Sequence, residues 1–184
     1  MTRYVMVIDQ RRCIGCHSCT VACRTWNKLP LDIVYNPVVT EGAQGTWPNV
    51  HKTWTPTLCM HCENPPCVPC CPSGASQQDD DGTVWVDPKK CLSCKVCVNA
   101  CPYGMRDASK LEDRMHRFVR KCTFCAHRIA EGEAPACCET CIGDARYFGD
   151  LNDPSSKVAQ LAASPRAFRL REELGTNPSV YYLK

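Results

Sequence analysis

The feature that most constrains this chain is a four-cysteine pattern that occurs four times. Two copies share the spacing C-x2-C-x2-C-x3-C; they are Cys13, Cys16, Cys19 and Cys23, and Cys91, Cys94, Cys97 and Cys101. This is the ligand spacing of [4Fe–4S] clusters, in which three cysteines hold one cluster and the fourth ligates a neighbouring cluster. Such a chain is expected to fold around metal–sulfur centres rather than around a large apolar core.

Two further quartets have looser spacing, C-x2-C-x4-C-x3-C and C-x2-C-x11-C-x3-C; they are Cys59, Cys62, Cys67 and Cys71, and Cys122, Cys125, Cys137 and Cys141. Both carry a proline two residues before the third cysteine and an alanine four residues after the last one. This alignment favours Cys137 over Cys138 as a ligand and leaves Cys70 spare beside Cys71. Sixteen of the 18 cysteines are then assigned, which is enough for four clusters.

Length and composition limit the class of protein. A chain of 184 residues makes one domain or two very small ones. Disulfides are the usual alternative for a cysteine-rich chain, but that interpretation applies to short secreted domains. The apolar residues 4–8 are too few for the core of a signal peptide, and no apolar run approaches the length of a membrane span. The chain is therefore predicted to be soluble by itself.

The net charge of +3 applies to the polypeptide without clusters. Each cluster with four thiolates carries about −2, so four clusters bring the loaded protein to roughly −5. Basic residues beside the quartets are then expected to offset buried negative charge, and a nucleic-acid surface is the competing interpretation. These residues are Lys89, Lys90, Lys95, Arg120 and Lys121.

Zinc is the main alternative to iron at the last quartet, because Cys122–Cys125 and Cys137–Cys141 could form two separated ligand pairs. Three histidines also lie near ligand cysteines: His17, His61 and His127. They are predicted to be surface residues or neighbours of the ligands, since each cluster already has four cysteines. The spare thiols of Cys70 and Cys138 are predicted to be small buried side chains. No catalytic constellation or nucleotide-binding loop is present, so the pattern indicates single-electron transfer.

The organisation is a repeat of strand, cluster loop and short helix. Strands are predicted at 5–9, 83–87 and 145–148, with a further possible strand at 50–54. Residues 24–57 otherwise have no periodic pattern and are predicted to form an irregular excursion over the clusters. In the tail, a helix is predicted at 155–163 with Asp153 or Ser155 as N-cap, and a strand at 179–183. The tail either docks on a partner or packs back on its own domain.

Beyond the cysteines, several motifs resemble one known family. They are Ile8–Asp9, C-M-H-C-E-N-P-P-C at 59–67, V-D-P-K-K-C at 86–91, K-C-T-F-C-A-H-R at 121–128, F-G-D-L at 148–151 and Gly175–Thr176. Over nearly its whole length the chain resembles the four-cluster iron–sulfur subunit of molybdopterin oxidoreductases of the dimethyl sulfoxide reductase family. The polysulfide and thiosulfate reductase type is the most similar. Ile142, where many relatives have proline, and the extra Cys70 and Cys138 depart from the family pattern.

The resemblance implies an α+β, loop-rich fold of two pseudo-symmetric modules like bacterial ferredoxins. Residues 1–24 with 118–150 would form an outer module and residues 58–117 an inner one. Residues 25–57 would be an irregular insertion and 151–184 a docking tail. The implied ligand sets are Cys13, Cys16, Cys19 and Cys141; Cys59, Cys62, Cys67 and Cys101; Cys91, Cys94, Cys97 and Cys71; and Cys122, Cys125, Cys137 and Cys23.

The resemblance also implies a function without catalysis by this chain itself. It would carry electrons between a large Mo- or W-bis-pterin catalytic subunit and either a quinone-reactive membrane subunit or a soluble donor. Export together with a signal-bearing partner would place the complex on the periplasmic side of a membrane, and a cytoplasmic complex is the alternative. A free-standing polyferredoxin and a zinc-binding interaction module are the competing functions.

Overall fold

A four-stranded mixed sheet forms the centre of the protein. The computed structural model describes residues 1–109 and 117–184, except for the side chain of Glu41. The first strand, β1 (Tyr4–Asp9), lies between two strands from the far end of the chain, β6 (Arg146–Asp150) and β8 (Val180–Leu183). It pairs antiparallel with β6 and parallel with β8, which in turn pairs antiparallel with β7 (Ala167–Phe168). The two chain ends are therefore joined in one sheet.

Two small antiparallel ribbons lie apart from this sheet. One pairs β2 (Val38–Gln44) with β3 (His51–Pro56), with an irregularity in register between Thr40 and Ala43. The other pairs β4 (Ser76–Gln78) with β5 (Val84–Val86). The strands predicted at 5–9, 83–87 and 145–148 thus match β1, β5 and β6.

The helices are short and begin within or just after the cysteine quartets. They are α1 (Ser18–Trp26), α2 (Val96–Asn99), α3 (Ala126–Ile129), α4 (Ala136–Glu139) and, in the tail, α5 (Lys157–Ala162). Helix α5 confirms the predicted tail helix, but its N-cap is Ser156, whose Oγ accepts a hydrogen bond from the Ala159 amide at 3.2 Å. The prediction of Asp153 or Ser155 as N-cap was wrong, because Asp153 instead accepts from the Ser155 amide in the preceding turn.

The structures of residues 25–57 and of the tail were only partly predicted from the sequence. The prediction of an irregular segment at 25–57 was wrong in part, because a paired hairpin, β2–β3, lies within it. Polar and apolar residues alternate only weakly in its two strands. The sequence therefore indicated only one of them, in part, as the possible strand at 50–54. In the tail, β8 is buried along its whole length beside β1. Of the two alternatives for the tail, packing on its own domain describes this strand.

The largest buried cluster joins aliphatic, aromatic and cysteine side chains. Its centre includes Met6, Ile8, Leu58 and Tyr182, and it also contains thiols from the first, second and fourth quartets. The mixed fold is therefore loop-rich, with small sheets and few helical turns, and nine of its buried residues are cysteines. No helix in the described part of the chain is long and apolar enough to cross a membrane.

Candidate cluster sites

All four quartets share one backbone feature at their second cysteine. The residue immediately before it has positive φ in each case: Gly15 (69°), His61 (42°), Ser93 (58°) and Phe124 (53°). The left-handed conformation is uncommon for residues other than glycine, so its recurrence marks a loop that the same function requires each time.

Three cavities are each lined by four cysteines drawn from two quartets. The sets are Cys59, Cys62, Cys67 and Cys101; Cys71, Cys91, Cys94 and Cys97; and Cys23, Cys122, Cys125 and Cys137. Within residues 1–109 and 117–184, no three His, Cys, Asp or Glu side chains meet closely enough to hold a single metal ion. The thiols instead surround a volume.

The remaining predicted set is assembled less completely. Burial raises the pKa of the Cys13 thiol, and the adjacent thiols of Cys19 and Cys141 raise it further, so these three cysteines lie close together. Cys16 is exposed on the same loop, and its Sγ lies 3.4 Å from the Ser18 Oγ, a contact that lowers its pKa. The backbone of Gly143 supports the arrangement by accepting a hydrogen bond from Arg12 Nε at 3.1 Å.

The four cysteine sets are neighbours in a fixed order. Cys19 of the first set is among the thiols that act on Cys23, whose pKa rises to about 12, chiefly through burial. Burial also raises the pKa of Cys122 strongly, and Cys59 adds to that rise from the next set. Arg106 lines both the cavity of Cys59 and the cavity of Cys91. The order is therefore the set of Cys13, then of Cys122, Cys59 and Cys91.

Two buried arginines lie among these thiols. Arg106 is 5% exposed, and its Nη2 donates to Cys67 Sγ at 3.0 Å and to Ser76 Oγ at 2.7 Å. Its Nε and Nη1 are buried and have no hydrogen-bond partner among the described residues. Buried donors of this kind require acceptors, and the sulfide and thiolate sulfurs of a cluster supply them. The residues present therefore fit [4Fe–4S] clusters.

The sequence alone did not indicate these arginines, and most of the lysines predicted to offset buried negative charge are exposed. Lys89, Lys90 and Lys95 are exposed, whereas Lys121 is buried and donates from Nζ to its neighbour's carbonyl, Cys122 O, at 2.5 Å. Arg106 and Arg146 share one sequence feature, because each stands five residues after the last cysteine of its quartet. Lys28 has the same position after Cys23 but is exposed, so this position alone does not predict a buried charge.

An amide also contacts the thiols of one set. Asn27 Nδ2 lies 3.6 Å from Cys23 Sγ and 3.8 Å from Cys125 Sγ, so one side chain links cysteines of the first and last quartets. Helices α1 and α4 pack against each other beside it. A hydrogen bond from Cys138 lowers the pKa of Cys137 to about 6. This contact gives one of the two spare cysteines a position beside a predicted ligand.

The other residues singled out from the sequence have varied environments. His17 and His127 are exposed, while His61 is fully buried and lines the cavity of Cys59. Burial lowers the pKa of His61, and its Nδ1 accepts a hydrogen bond from the Val84 amide at 3.0 Å. Cys70 and Cys138 are only partly buried. Both spare cysteines were predicted to be buried, and they are in fact buried only in part.

These sites define a class of protein. A chain whose interior holds a row of thiol-lined cavities, with a counter-charge at the ligands, is an electron carrier that uses several iron–sulfur clusters. Comparison with known sequences agrees: residues 50–151 match the 4Fe-4S dicluster domain, and residues 4–25 match a 4Fe-4S binding domain. The protein belongs to the family of iron–sulfur electron-transfer subunits of molybdopterin reductases.

Curated relatives have named functions. The B subunit of selenate reductase from Mesobacillus selenatarsenatis is 45% identical, with 98% of this chain and 72% of that protein aligned. The B subunit of tetrathionate reductase from Salmonella typhimurium is also 45% identical, with the same coverage of 98% and 72%. The B component of polysulfide reductase from Wolinella succinogenes is 40% identical over 97% of this chain and 93% of its own length. The family resemblance inferred from sequence motifs is therefore confirmed.

Membership of this family fixes the general role of the chain. It is an electron-transfer subunit with four [4Fe–4S] clusters, and it is not itself the catalytic subunit of its complex. When bound, the clusters accept and donate single electrons. The protein's own residues supply thiols, a low-dielectric enclosure and positive charge close to the sulfur atoms.

Proposed function

We propose that the four clusters form one electron path through the subunit, ligated by the four sets named above. The observation that supports this most is the contiguous order of the sets, in which each has a side chain acting on a thiol of the next or shared with it. Cys16 and Cys94 are the exposed cysteines, and they belong to the two terminal sets. Electrons would thus enter at one exposed end and leave at the other.

The partners follow from the two exposed ends of this path. A large subunit with molybdenum or tungsten bound by two pterins would receive or supply electrons at one end. A quinone-reactive membrane subunit or a soluble donor would serve the other end. The complex would be associated with a membrane on its periplasmic face after export with a signal-bearing partner, with a cytoplasmic complex as the alternative. The relatives named as reductase subunits support a complex over a free-standing polyferredoxin.

Two pseudo-symmetric modules with ferredoxin-like folds would hold the clusters in pairs. Residues 1–24 and 118–150 would form the outer module and residues 58–117 the inner one, of which residues 110–116 lie outside the described part of the chain. The shared positive-φ residue of all four quartets supports this repeat. Residues 25–57 would be an insertion, and parts of 151–184 outside β8 would contact a partner.

Anaerobic purification from the native host tests the assembly. The expected result is a large subunit that co-purifies with stoichiometric molybdenum or tungsten, identified by mass spectrometry and metal analysis. Recovery of a lone, iron-rich chain would instead support a soluble polyferredoxin. A zinc content that matched the protein and replaced iron at one site would contradict four [4Fe–4S] clusters.

Cysteine variants test the assignment of ligands between quartets. Cys141→Ser should alter the electron paramagnetic resonance (EPR) signal of the cluster that Cys13→Ser also alters, because both residues would ligate one cluster. The matched control is Cys138→Ser, which changes a neighbouring thiol outside the proposed ligand sets. If Cys141→Ser and Cys125→Ser changed the same signal, the pairing of the first and last quartets would be wrong.

A further inference from the structure

Two arginines occupy matching positions in the two halves of the chain. Arg106 follows Cys101 by five residues, and Arg146 follows Cys141 by five. Both guanidinium groups are nearly inaccessible to solvent, at 5% and 3% exposure. A buried charge is costly unless it is paired, so each of these groups needs negative charge close by.

Arg106 lies between two cysteine sets. Its guanidinium lines the cavity of Cys59, Cys62, Cys67 and Cys101 and also the cavity of Cys71, Cys91, Cys94 and Cys97. The Nη2 atom bonds to Cys67 and Ser76, while Nε and Nη1 have no partner within residues 1–109 and 117–184. None of the ion pairs found among the described residues involves a carboxylate with Arg106. The acidic groups that the structure describes on both sides of Arg106 are cysteine thiols, and one of them, Cys67, accepts its hydrogen bond.

Arg146 has the equivalent place in the other half. Its Nη2 donates to Asn36 Oδ1 at 2.7 Å, and its Nη1 lies 3.6 Å from Met6 Sδ. Both of these partners line the cavity of Cys23, Cys122, Cys125 and Cys137. The amide of the adjacent Ala145 donates to Cys141 Sγ, in the set of Cys13, at 3.3 Å, so Arg146 also lies between two sets.

The two positions have one electrostatic consequence. A fixed positive charge stabilises the reduced, more negative state of a nearby cluster, and net charge and hydrogen bonds to sulfur are known determinants of cluster potential. The effect is strong in a buried site because solvent screens it little. A charge shared by two clusters acts on both.

We propose that Arg106 and Arg146 are shared counter-charges, each of which raises the reduction potentials of one pair of clusters. This inference rests on the proposed ligand sets. Arg106 would act on the clusters of Cys59 and Cys91, and Arg146 on those of Cys13 and Cys122. The two pairs of potentials are thus set separately, although the four clusters form one path.

The test is an anaerobic redox titration of the iron-loaded full-length chain, followed by EPR. Arg106→Gln removes the charge and retains amide donors; it should lower the reduction equilibrium constants of two clusters by about tenfold or more. For a one-electron couple, tenfold is 59 mV. The other two clusters should change by less than a third of that shift. Arg146→Gln should give the complementary pattern.

Two further variants separate charge from structure. Arg106→Lys retains the positive charge and should keep both potentials close to wild type, which a purely structural role would not predict. Lys90 lies beside the third quartet, and its side chain is 58% exposed. Lys90→Gln should therefore shift all four reduction potentials little, because water screens this charge. If Arg106→Gln does not load iron, the comparison of Arg146→Gln with Arg146→Lys decides the proposal.

The outcomes are distinguishable from failure of the proposed function. If the wild-type chain lacks four [4Fe–4S] signals, the proposed function fails. If the wild type has four signals and neither Gln variant shifts any potential, the counter-charge proposal alone is overturned. A shift of only one cluster, or an equal shift in the Lys and Gln variants, also overturns it.

Discussion

At the residue scale, Gly15 is a position in the first cluster loop that leaves no space for a side chain. Its φ is 69°, and a Cβ at this position would lie 2.2 Å from Trp54 Nε1. The equivalent loop residues of the other quartets are His61, Ser93 and Phe124, so the backbone conformation by itself tolerates a side chain. The close approach of the indole ring is what requires glycine here.

Gly15→Ala should therefore destabilise the first cluster site. Positive φ costs an alanine about 1 kcal/mol, and displacement of a packed ring adds roughly 1–3 kcal/mol. Gly74→Ala is the matched control, because Gly74 has φ 63° and no atom within 4 Å of its built Cβ. The measurement is urea denaturation together with iron content. Equal losses in both variants would contradict a specific contact with Trp54.

At the residue scale, the grouping of three predicted cysteine sets around cavities follows from the sequence, while the position of the buried positive charges does not. Ligand spacing is a local property, so the sequence showed the quartets directly. The burial of Arg106 and Arg146 depends on how distant segments close around them, and no local pattern encodes it. Lys89 and Lys90 are adjacent to a ligand in sequence yet remain in solvent.

At the scale of elements, the tail acts as a clamp on one cluster loop. The amides of Glu63 and Asn64 donate to the carbonyls of Asn177 and Thr176 at 2.8 and 3.1 Å. The side chain of Thr176 lies 2.6 Å from Tyr103 Oη, and its hydroxyl also contacts the Cys62 thiol, whose burial raises its pKa to about 12. The tail thus holds both the loop and one of its proposed ligands.

Thr176→Val should loosen this clamp without changing side-chain shape much. The loss of one hydrogen bond to a buried group costs about 1–3 kcal/mol. The loss of a hydrogen bond to sulfur should also lower the potential of the cluster of Cys62. Thermal denaturation and redox titration would measure both effects. Thr46→Val, at an exposed position in the hairpin loop, is the control. An unchanged midpoint of unfolding and an unchanged potential would contradict the clamp.

The elements that were not predicted correctly from the sequence are those whose structure depends on tertiary contacts. Strands β1 and β5 precede cysteine loops and carry a local signal, as expected. The hairpin β2–β3 is held through Trp54 against Gly15 and through Gln10 Nε2, which donates to Thr55 Oγ1 at 2.7 Å. Neither contact can be inferred from the composition of residues 24–57.

At the scale of the whole molecule, the clusters replace much of an ordinary core. Nine cysteines are buried in the interior, and the buried Arg106 lines two of the thiol-lined cavities. Net stabilities of small domains are only about 5–15 kcal/mol. An iron-free chain would leave the buried guanidinium charges without the negative charge of the clusters.

Removal of iron by an anaerobic chelator should therefore unfold the tertiary structure. The expected result is loss of the near-ultraviolet circular dichroism signal and of a cooperative melting transition, because metal binding contributes directly to folding in small metal-dependent domains. Readdition of iron and sulfide under reducing conditions should restore both. Zinc alone is the control and should not restore them. A cooperative transition in the iron-free chain would contradict this dependence.

A stacked pair of rings joins the loops of the second and fourth quartets. His61 and Phe124 are equivalent loop residues of the second and fourth quartets, and their ring centroids lie 3.8 Å apart at 19°. His61 lines the cavity of Cys59, and Phe124 lines that of Cys122. Both are essentially buried, so one contact supports a cluster site on each side.

Phe124→Ala should accordingly disturb two cluster sites at once. Removal of a buried phenylalanine ring costs about 3–5 kcal/mol, and the cavity would open between the sets of Cys59 and Cys122. EPR of the iron-loaded variant should show changes in the signals of both clusters and one shared melting transition at lower temperature. Phe168→Ala, a partly buried ring against Tyr182, is the control and should lower stability without that paired change. If only the cluster of Cys122 changed, or the halves melted separately, the ring pair would belong to one module rather than join the two.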